Sequence, residues 1–124
     1  MRKMLAQAIM PPMKTLLAAL LLAPLSALAA DPPKVVAVDV TLEPGKVHEA
    51  CMKLAKGQGK RFEWTSDTAV DFNVHYHKGE TAYYPFKANN RKAAKARFVA
   101  EHADDYCWMW TAQKVPAKVT GTIK

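Results

Sequence analysis

The sequence has 124 residues, of which 50% are hydrophobic, 9% aromatic and 23% charged, and its formal charge at pH 7 is +7. This length accommodates one small domain and is too short for a complete α/β barrel or a long array of repeats. Three of the cations, Arg2, Lys3 and Lys14, lie near the N-terminus. The remaining chain is therefore only mildly basic, and we expect no nucleic-acid partner.

The N-terminal segment has the three parts of an export signal. Lys14 precedes a short apolar run, and small residues follow it, so a peptidase can cleave after Ala29 or Ala30. We predict a signal peptide over residues 1–29, with Met13 as an alternative start of translation. A membrane anchor is the competing interpretation, but the apolar run is shorter than the roughly 20 residues that span a bilayer.

This signal predicts the compartment and the domain boundaries. We expect a periplasmic or secreted protein that has no transmembrane anchor after cleavage. Residues 30–34 are predicted to form an N-terminal extension, and residues 35–124 a single domain.

From residue 35 onward the sequence alternates between apolar and polar residues in short runs, which are separated by Gly, Pro, Asp and Asn. This rhythm is typical of strands joined by turns. The predicted strands are residues 36–42, 47–54, 61–66, 70–77, 81–86, about 95–100, 106–111 and 118–123. Eight short strands predict an all-β fold, a small antiparallel β-sandwich.

Two of these strands carry mixed signals. Pro85 cannot donate a hydrogen bond to a neighbouring strand, so the run 81–86 belongs at a sheet edge or contains a bulge. Residues 91–103 are rich in Ala, Lys and Arg and therefore also have helix propensity. We predict a strand there, with a short helix as the alternative.

The sequence contains two cysteines, Cys51 and Cys107. In an exported protein the default prediction for such a pair is a disulfide bond. In the chain-entropy model, closing a loop of this length stabilises the fold by about 4 kcal/mol. The alternatives are two free thiols that bind copper together with Met52 and Met109, or a bridge between two molecules.

The order of several features resembles a known family. They are the early run Glu49-Ala50-Cys51-Met52, the turn Lys56-Gly57-Gln58, the strands Phe62-Glu63-Trp64 and Val70-Asp71-Phe72-Asn73-Val74, and the late Tyr106-Cys107-Trp108. Together they resemble a GOLD domain, the disulfide-bonded β-sandwich in the lumen-facing part of eukaryotic cargo receptors. The resemblance covers residues 36–123 and implies a sandwich, a bridge between the early and the late cysteine, and binding through loops and faces. Those receptors continue into a coiled coil, a transmembrane helix and a cytosolic tail, which this sequence does not show, so cargo transport is not implied.

The predicted strand 70–77 carries the sharpest local feature. Its alternation places His75 and His77 on one face, at a spacing that can chelate Cu(II) or Zn(II). The same residues also fit the polar outer face of an amphipathic strand. The candidates for further metal ligands are Asp71, Asn73, Glu80, His48 and His102.

Aromatic residues are the second candidate for a binding site. Few large aliphatic residues follow Leu54, so most of the aromatic side chains are expected to fill the core. Neighbouring strand residues point to opposite faces, so one member of the pair Tyr83 and Tyr84 should face outward. The candidate ligand-binding residues are Tyr83, Tyr84, Trp108 and Trp110.

No catalytic motif is present in the sequence. It lacks a Gly-x-Ser-x-Gly elbow, a phosphate loop, a Cys-x-x-Cys pair and a zinc-protease helix, so we expect no enzyme. The basic residues from Lys87 to Arg97 fit either an anionic partner or a solvated face.

Three functions follow from these features. The first is an exported, monomeric, non-enzymatic module that binds a protein or a small ligand. The second is a periplasmic copper or zinc protein that uses His75 and His77. The third is an inhibitor of an extracytoplasmic hydrolase, which presents the loop 78–80 or the segment 87–92.

Overall fold

A computed structural model describes residues 34–124, which form six antiparallel strands. The predicted signal peptide, 1–29, and residues 30–33 of the predicted extension lie outside the described residues. The strands are β1 (Val36–Leu42), β2 (Val47–Leu54), β3 (Gly59–Lys78), β4 (Thr81–Val99), β5 (Asp104–Ala112) and β6 (Ala117–Ile123). The ambiguous segment 91–103 is a strand up to Val99, as preferred from the sequence.

The described part of the chain contains no helix of the length and apolarity that a membrane crossing requires.

The strands form one sheet in which β3 has different neighbours along its two edges. The order is β1-β6-β3-β5-β2, and β4 pairs with β3 on the side away from β5 and β6. The first half of β3 pairs with β6, from Phe62 opposite Ile123 to Ser66 opposite Val119. The second half pairs with β5, while β4 accompanies β3 along almost its whole length. β3 and β4 therefore run through both halves of the molecule.

The eight-strand count predicted from the sequence is wrong: the sheet has six strands. Residues 61–66 and 70–77 belong to one strand, β3, and the two runs predicted within 81–100 belong to β4. The polar residues between the runs suggest turns, but the backbone continues through them with shifts of register, for example between Thr65 and Val70. Such bulges bend strands and increase their twist, so a single sheet curls into a half-barrel instead of separating into short strands.

The curl brings the apolar face of the sheet together as the core. The ring of Phe62, in the first half of β3, lies 5.3 Å from the rings of Phe72 and Phe86, measured between centroids. Trp64 lies 5.2 Å from Phe72 in the same way. The large core side chains are Val38, Leu42, Leu54, Phe62, Trp64, Val70, Phe72, Val74, Phe98, Tyr106, Trp108, Trp110, Val119 and Ile123. We call this face of the sheet the inner face and the opposite one the outer face.

Two irregularities shape β4. The register passes from Val74 opposite Phe86 to Tyr76 opposite Tyr83, so β4 has an extra residue between these pairs. Pro85 lies in that bulge, which confirms the position predicted for it. Farther along, Asn90 has a positive φ of 56°, a conformation that Asn tolerates better than most residues.

The bend at Asn90 is held by a carboxylate. Asp71 Oδ1 accepts hydrogen bonds from the backbone N–H of Asn90 at 2.9 Å and from Nε2 of Gln113 at 3.1 Å. Gln113 Nε2 also donates to the side-chain oxygen of Asn90 at 3.3 Å. Asp71 thus connects β3, β4 and the end of β5.

The predicted disulfide is present. Cys51 on β2 is directly opposite Cys107 on β5, and their sulfurs are bonded at 2.04 Å. The chain therefore has no free thiol, and the alternatives of copper-binding thiols and an intermolecular bridge are wrong for this structure. Disulfides of this kind are typical of proteins in oxidising compartments outside the cytoplasm.

Candidate functional site

An open groove lies where the two ends of β4 approach each other at the edge of the half-barrel. Its volume is about 510 Å³. Its lining is mostly aromatic and comes from β3, β4, β5 and the connection between β4 and β5. The lining residues are Tyr76, Tyr83, Tyr84, Pro85, Phe86, Arg97, Phe98, Val99, Glu101, His102 and Tyr106.

The bulge in β4 positions the tyrosines of the groove. Tyr83 is opposite Tyr76 in the ladder, and their rings stack with centroids 5.3 Å apart and an interplanar angle of 14°. Tyr84 instead lies against outer-face residues, with its ring 5.7 Å from that of His75 and 4.5 Å from Nζ of Lys87. Tyr83 and Tyr84 are each 45% exposed, so both present ring surface to solvent.

The floor of the groove is rigidly packed. Tyr106 is buried, its ring lies 5.0 Å from that of Phe98, and its hydroxyl donates a hydrogen bond to the carbonyl of His102 at 2.8 Å. Burial raises the pKa of Tyr106 above its usual 10.0, so the hydroxyl remains protonated and keeps this bond. The ring of Tyr76 packs edge-on against His102 at 4.6 Å.

Polar side chains complete the lining. Arg97 and Glu101 are exposed at the groove, and Nε2 of His102 lies 3.3 Å from a carboxylate oxygen of Asp104. The groove therefore combines flat ring faces with hydrogen-bond donors and acceptors of both charges. This combination suits a ligand that has apolar faces and polar edges.

His75 and His77 lie side by side on β3, but within residues 34–124 no further predicted ligand completes a trio with metal-ligand spacing around them. His75 is 3% exposed, its Nδ1 lies 2.7 Å from Oδ1 of Asn73, and its Nε2 lies 3.4 Å from Oε1 of Glu49. The ring of His77 is 5.1 Å away. Burial lowers the pKa of His75 below its usual 6.5; the charge of Glu49 opposes this shift and His77 adds to it.

The other predicted ligands lie elsewhere. Asp71 holds the bend of β4, and Glu80 lies in the exposed turn between β3 and β4. His48 packs beside Trp110, with ring centroids 5.9 Å apart. Within residues 34–124 the one trio with metal-ligand spacing is Glu49, Cys51 and Cys107, and its two sulfurs are joined in the disulfide.

Two of the four predicted ligand-binding residues, Tyr83 and Tyr84, line the groove. Trp108 and Trp110 do not, because both indole rings are buried in the core, where they offer no accessible surface. Phe98, Glu101 and His102 also line the groove and were not predicted from the sequence to do so. No local pattern indicates them, because they meet the tyrosines only through the curl of β4.

No family model and no curated protein matches this sequence. Among solved structures, a de novo designed double-stranded beta-helix aligns at 17% identity and a TM-score of 0.43, over 72% of this chain and 99% of that one. Aeromonas hydrophila PliG, a periplasmic lysozyme inhibitor of g-type lysozyme, aligns at 10% identity and a TM-score of 0.49, over 73% and 86% of the two chains. The Yersinia pseudotuberculosis-derived mitogen aligns at 12% identity and a TM-score of 0.43, over 75% and 88%. No function is carried over at these levels of similarity, and the resemblance to GOLD domains stays a prediction.

Proposed function

We propose that this protein is a periplasmic or secreted binding module, without catalytic activity, that holds a carbohydrate chain in the aromatic groove. The observation that carries the proposal is the exposed ring of Tyr83, stacked on Tyr76, in a groove of about 510 Å³. Ligand-binding pockets in proteins span roughly 300–1,000 Å³.

Sugar rings match this lining in their chemistry. Their C–H faces are apolar and pack on aromatic rings, while their hydroxyl edges need donors and acceptors. Tyr83 supplies ring surface, and Arg97, Glu101 and His102 supply polar groups. Because the groove is open along the edge of the sheet, it suits a chain of several sugars better than an enclosed small molecule.

A protein segment is the second candidate occupant. Among the described strands, β4 pairs with β3 alone, so its other edge leaves backbone groups available for an added strand. Five exposed cations along β4 argue against this mode, because charged residues on an edge strand are a common device against strand addition. These cations are Lys87, Arg91, Lys92, Lys95 and Arg97.

The inhibitor hypothesis rests on loop presentation. Residues 87–92 are not a loop but the bend of β4, whereas residues 78–80 do form an exposed turn. That turn remains the segment by which inhibition of an extracytoplasmic hydrolase would be tested.

The proposal is tested by isothermal titration with chitotetraose, cellotetraose and maltotetraose. We expect saturable binding of at least one of them, weakened about tenfold or more by Tyr83→Ala, since about 1.4 kcal/mol of lost stacking corresponds to a factor of ten. Tyr83→Phe keeps the ring and should bind nearly as well. Val115→Ala removes an exposed apolar side chain between β5 and β6, outside the groove, and serves as the matched control. Failure of all three sugars to bind, or equal affinity in Tyr83→Ala, would contradict the proposal.

A further inference from the structure

Two arginines lie directly opposite each other on the outer face of the sheet. Arg61 on β3 pairs in register with Arg97 on β4. Lys124 lies on the other side of Arg61, and the backbones of these two residues exchange hydrogen bonds of 2.9 and 2.7 Å. Like charges directly opposite on neighbouring strands are destabilising, so this arrangement needs a reason other than stability.

Protein carboxylates do not balance these charges. Among residues 34–124, neither Arg61 nor Arg97 makes an ion pair. The nearby acid is Glu63, whose carboxylate lies 3.9 Å from Nζ of Lys95, and both of these side chains are more than half exposed. The side chains of this surface comprise four cations, Arg61, Lys95, Arg97 and Lys124, and one acid, Glu63.

These side chains line a second cleft, of about 330 Å³, to which Thr122 adds a hydroxyl group. The guanidinium of Arg97 lies over Gly59. A Cβ at residue 59 would lie 2.7 Å from both Nε and Nη2 of Arg97, closer than van der Waals contact allows. The absence of a side chain at Gly59 therefore leaves the space in which the guanidinium lies.

We propose that this cleft binds an oxyanion, the phosphate or sulfate group of an ester, through the cations that line it, Arg61, Arg97 and Lys124. Guanidinium groups offer paired donors that match the oxygens of phosphate and sulfate, and an ammonium group adds a compact charge. The bound anion relieves the repulsion between the two arginines, so the groups that destabilise the empty protein become the groups that hold the ligand. Arg97 borders both the cleft and the groove, but Arg61 and Lys124 line only the cleft, so Arg61→Gln tests this inference separately from the carbohydrate proposal.

The direct test is titration with inorganic phosphate and inorganic sulfate at constant ionic strength, with sodium chloride as the reference. We expect saturable binding and a higher melting temperature with the wild-type protein. Arg61→Gln should weaken binding about tenfold or more, as expected for the loss of a charge-assisted hydrogen bond. Lys114→Gln removes one charge from the exposed β5–β6 connection, which does not line the cleft, and should bind as the wild type does.

A second readout separates a binding site from an ordinary solvated surface. In chloride alone, Arg61→Gln should melt at the same temperature as the wild type or above it, because the substitution removes a like-charge contact. No saturable binding of either anion, or equal affinity in the wild type and Arg61→Gln, would overturn the proposal.

The same chemistry occurs in soluble sugar phosphates and in lipid headgroups. Glucose 1-phosphate represents the first source, and phosphatidylcholine vesicles with and without phosphatidic acid represent the second. If Arg61→Gln weakens binding of glucose 1-phosphate or of the phosphatidic acid vesicles, that ligand is identified as the source of the oxyanion. Binding of inorganic phosphate without binding in either assay assigns the cleft to the free anion.

Discussion

Gly121 shows how closely two strands approach each other in the first half of the sheet. It is opposite Trp64, and a Cβ at residue 121 would lie 2.6 Å from Cβ of Trp64 and would also collide with the carbonyl oxygen of Glu63. Trp64 is fully buried and packs at 5.2 Å on Phe72, so it cannot move aside without disturbing the core. The absence of a side chain at Gly121 is therefore a requirement of packing.

We expect Gly121→Ala to lower the free energy of unfolding by about 1–3 kcal/mol, the usual cost of overpacking a core. Urea denaturation measures the change. Lys118→Ala, at an exposed position of the same strand, is the control and should change stability by less than about 0.5 kcal/mol. Equal stability of the two variants would contradict this account of Gly121.

His75 makes the stability of the fold depend on pH. Its folded-state pKa lies below 6.5 because the ring is buried; the groups that face it are Glu49, Asn73, His77 and Tyr84. Below a pH of about 6.5 the unfolded chain therefore binds more protons at this residue than the folded chain does, so stability falls as the pH falls.

The melting temperature of the wild type should therefore decrease between about pH 7 and pH 5, and His75→Gln should make this decrease shallower. Thermal denaturation across this pH range measures both slopes. The same slope in the variant and in the wild type would show that His75 does not determine the pH dependence.

Of the six strands, β2 is the one whose attachment to the sheet depends most on the disulfide bond. Within the described sheet its one strand neighbour is β5, and the disulfide Cys51–Cys107 links these two strands across 56 residues of chain. For a loop of that length the chain-entropy model gives about 4 kcal/mol of stabilisation. The double substitution Cys51→Ser and Cys107→Ser should lower the free energy of unfolding by about this amount, measured by urea denaturation. A loss below about 1 kcal/mol would mean that the bridge does not support the fold.

The elements also show what the sequence could and could not predict. β1, β2, β5 and β6 follow from local alternation, because each is short and pairs without a bulge. The full lengths of β3 and β4 do not follow from local alternation. The residues at their register shifts have the composition of turns, and the chain stays extended there because it pairs with distant strands. The inner face of β3 was predicted correctly, from Val70 to Val74, but Asn73 and His75 on its other face are buried, not solvated.

Only part of the candidate site could be predicted from the sequence. Exposure of a tyrosine at residues 83 and 84 follows from strand geometry, and the bulge at Pro85 follows from its missing N–H. The approach of Phe98 and His102 to these tyrosines depends on the curl of the whole strand, which no local pattern encodes.

At the scale of the whole molecule, the half-barrel has two recesses along β4. The aromatic groove lies at its open edge and the basic cleft on its outer face, and Arg97 borders both. β4 has a free edge, bulges at Pro85 and bends at Asn90. This strand therefore creates the surfaces on which both proposals depend, while the core and the disulfide hold the rest of the sheet in place.

Carbohydrate binding in the aromatic groove can be observed directly by an NMR titration of the oxidised protein with chitotetraose, cellotetraose and maltotetraose, followed through the aromatic ring resonances. One sugar is expected to cause saturable shifts concentrated at Tyr76, Tyr83 and Phe86, with the buried rings of Trp64 and Trp110 little affected. The absence of shifts with every sugar, or shifts that map away from the groove, would contradict the proposal.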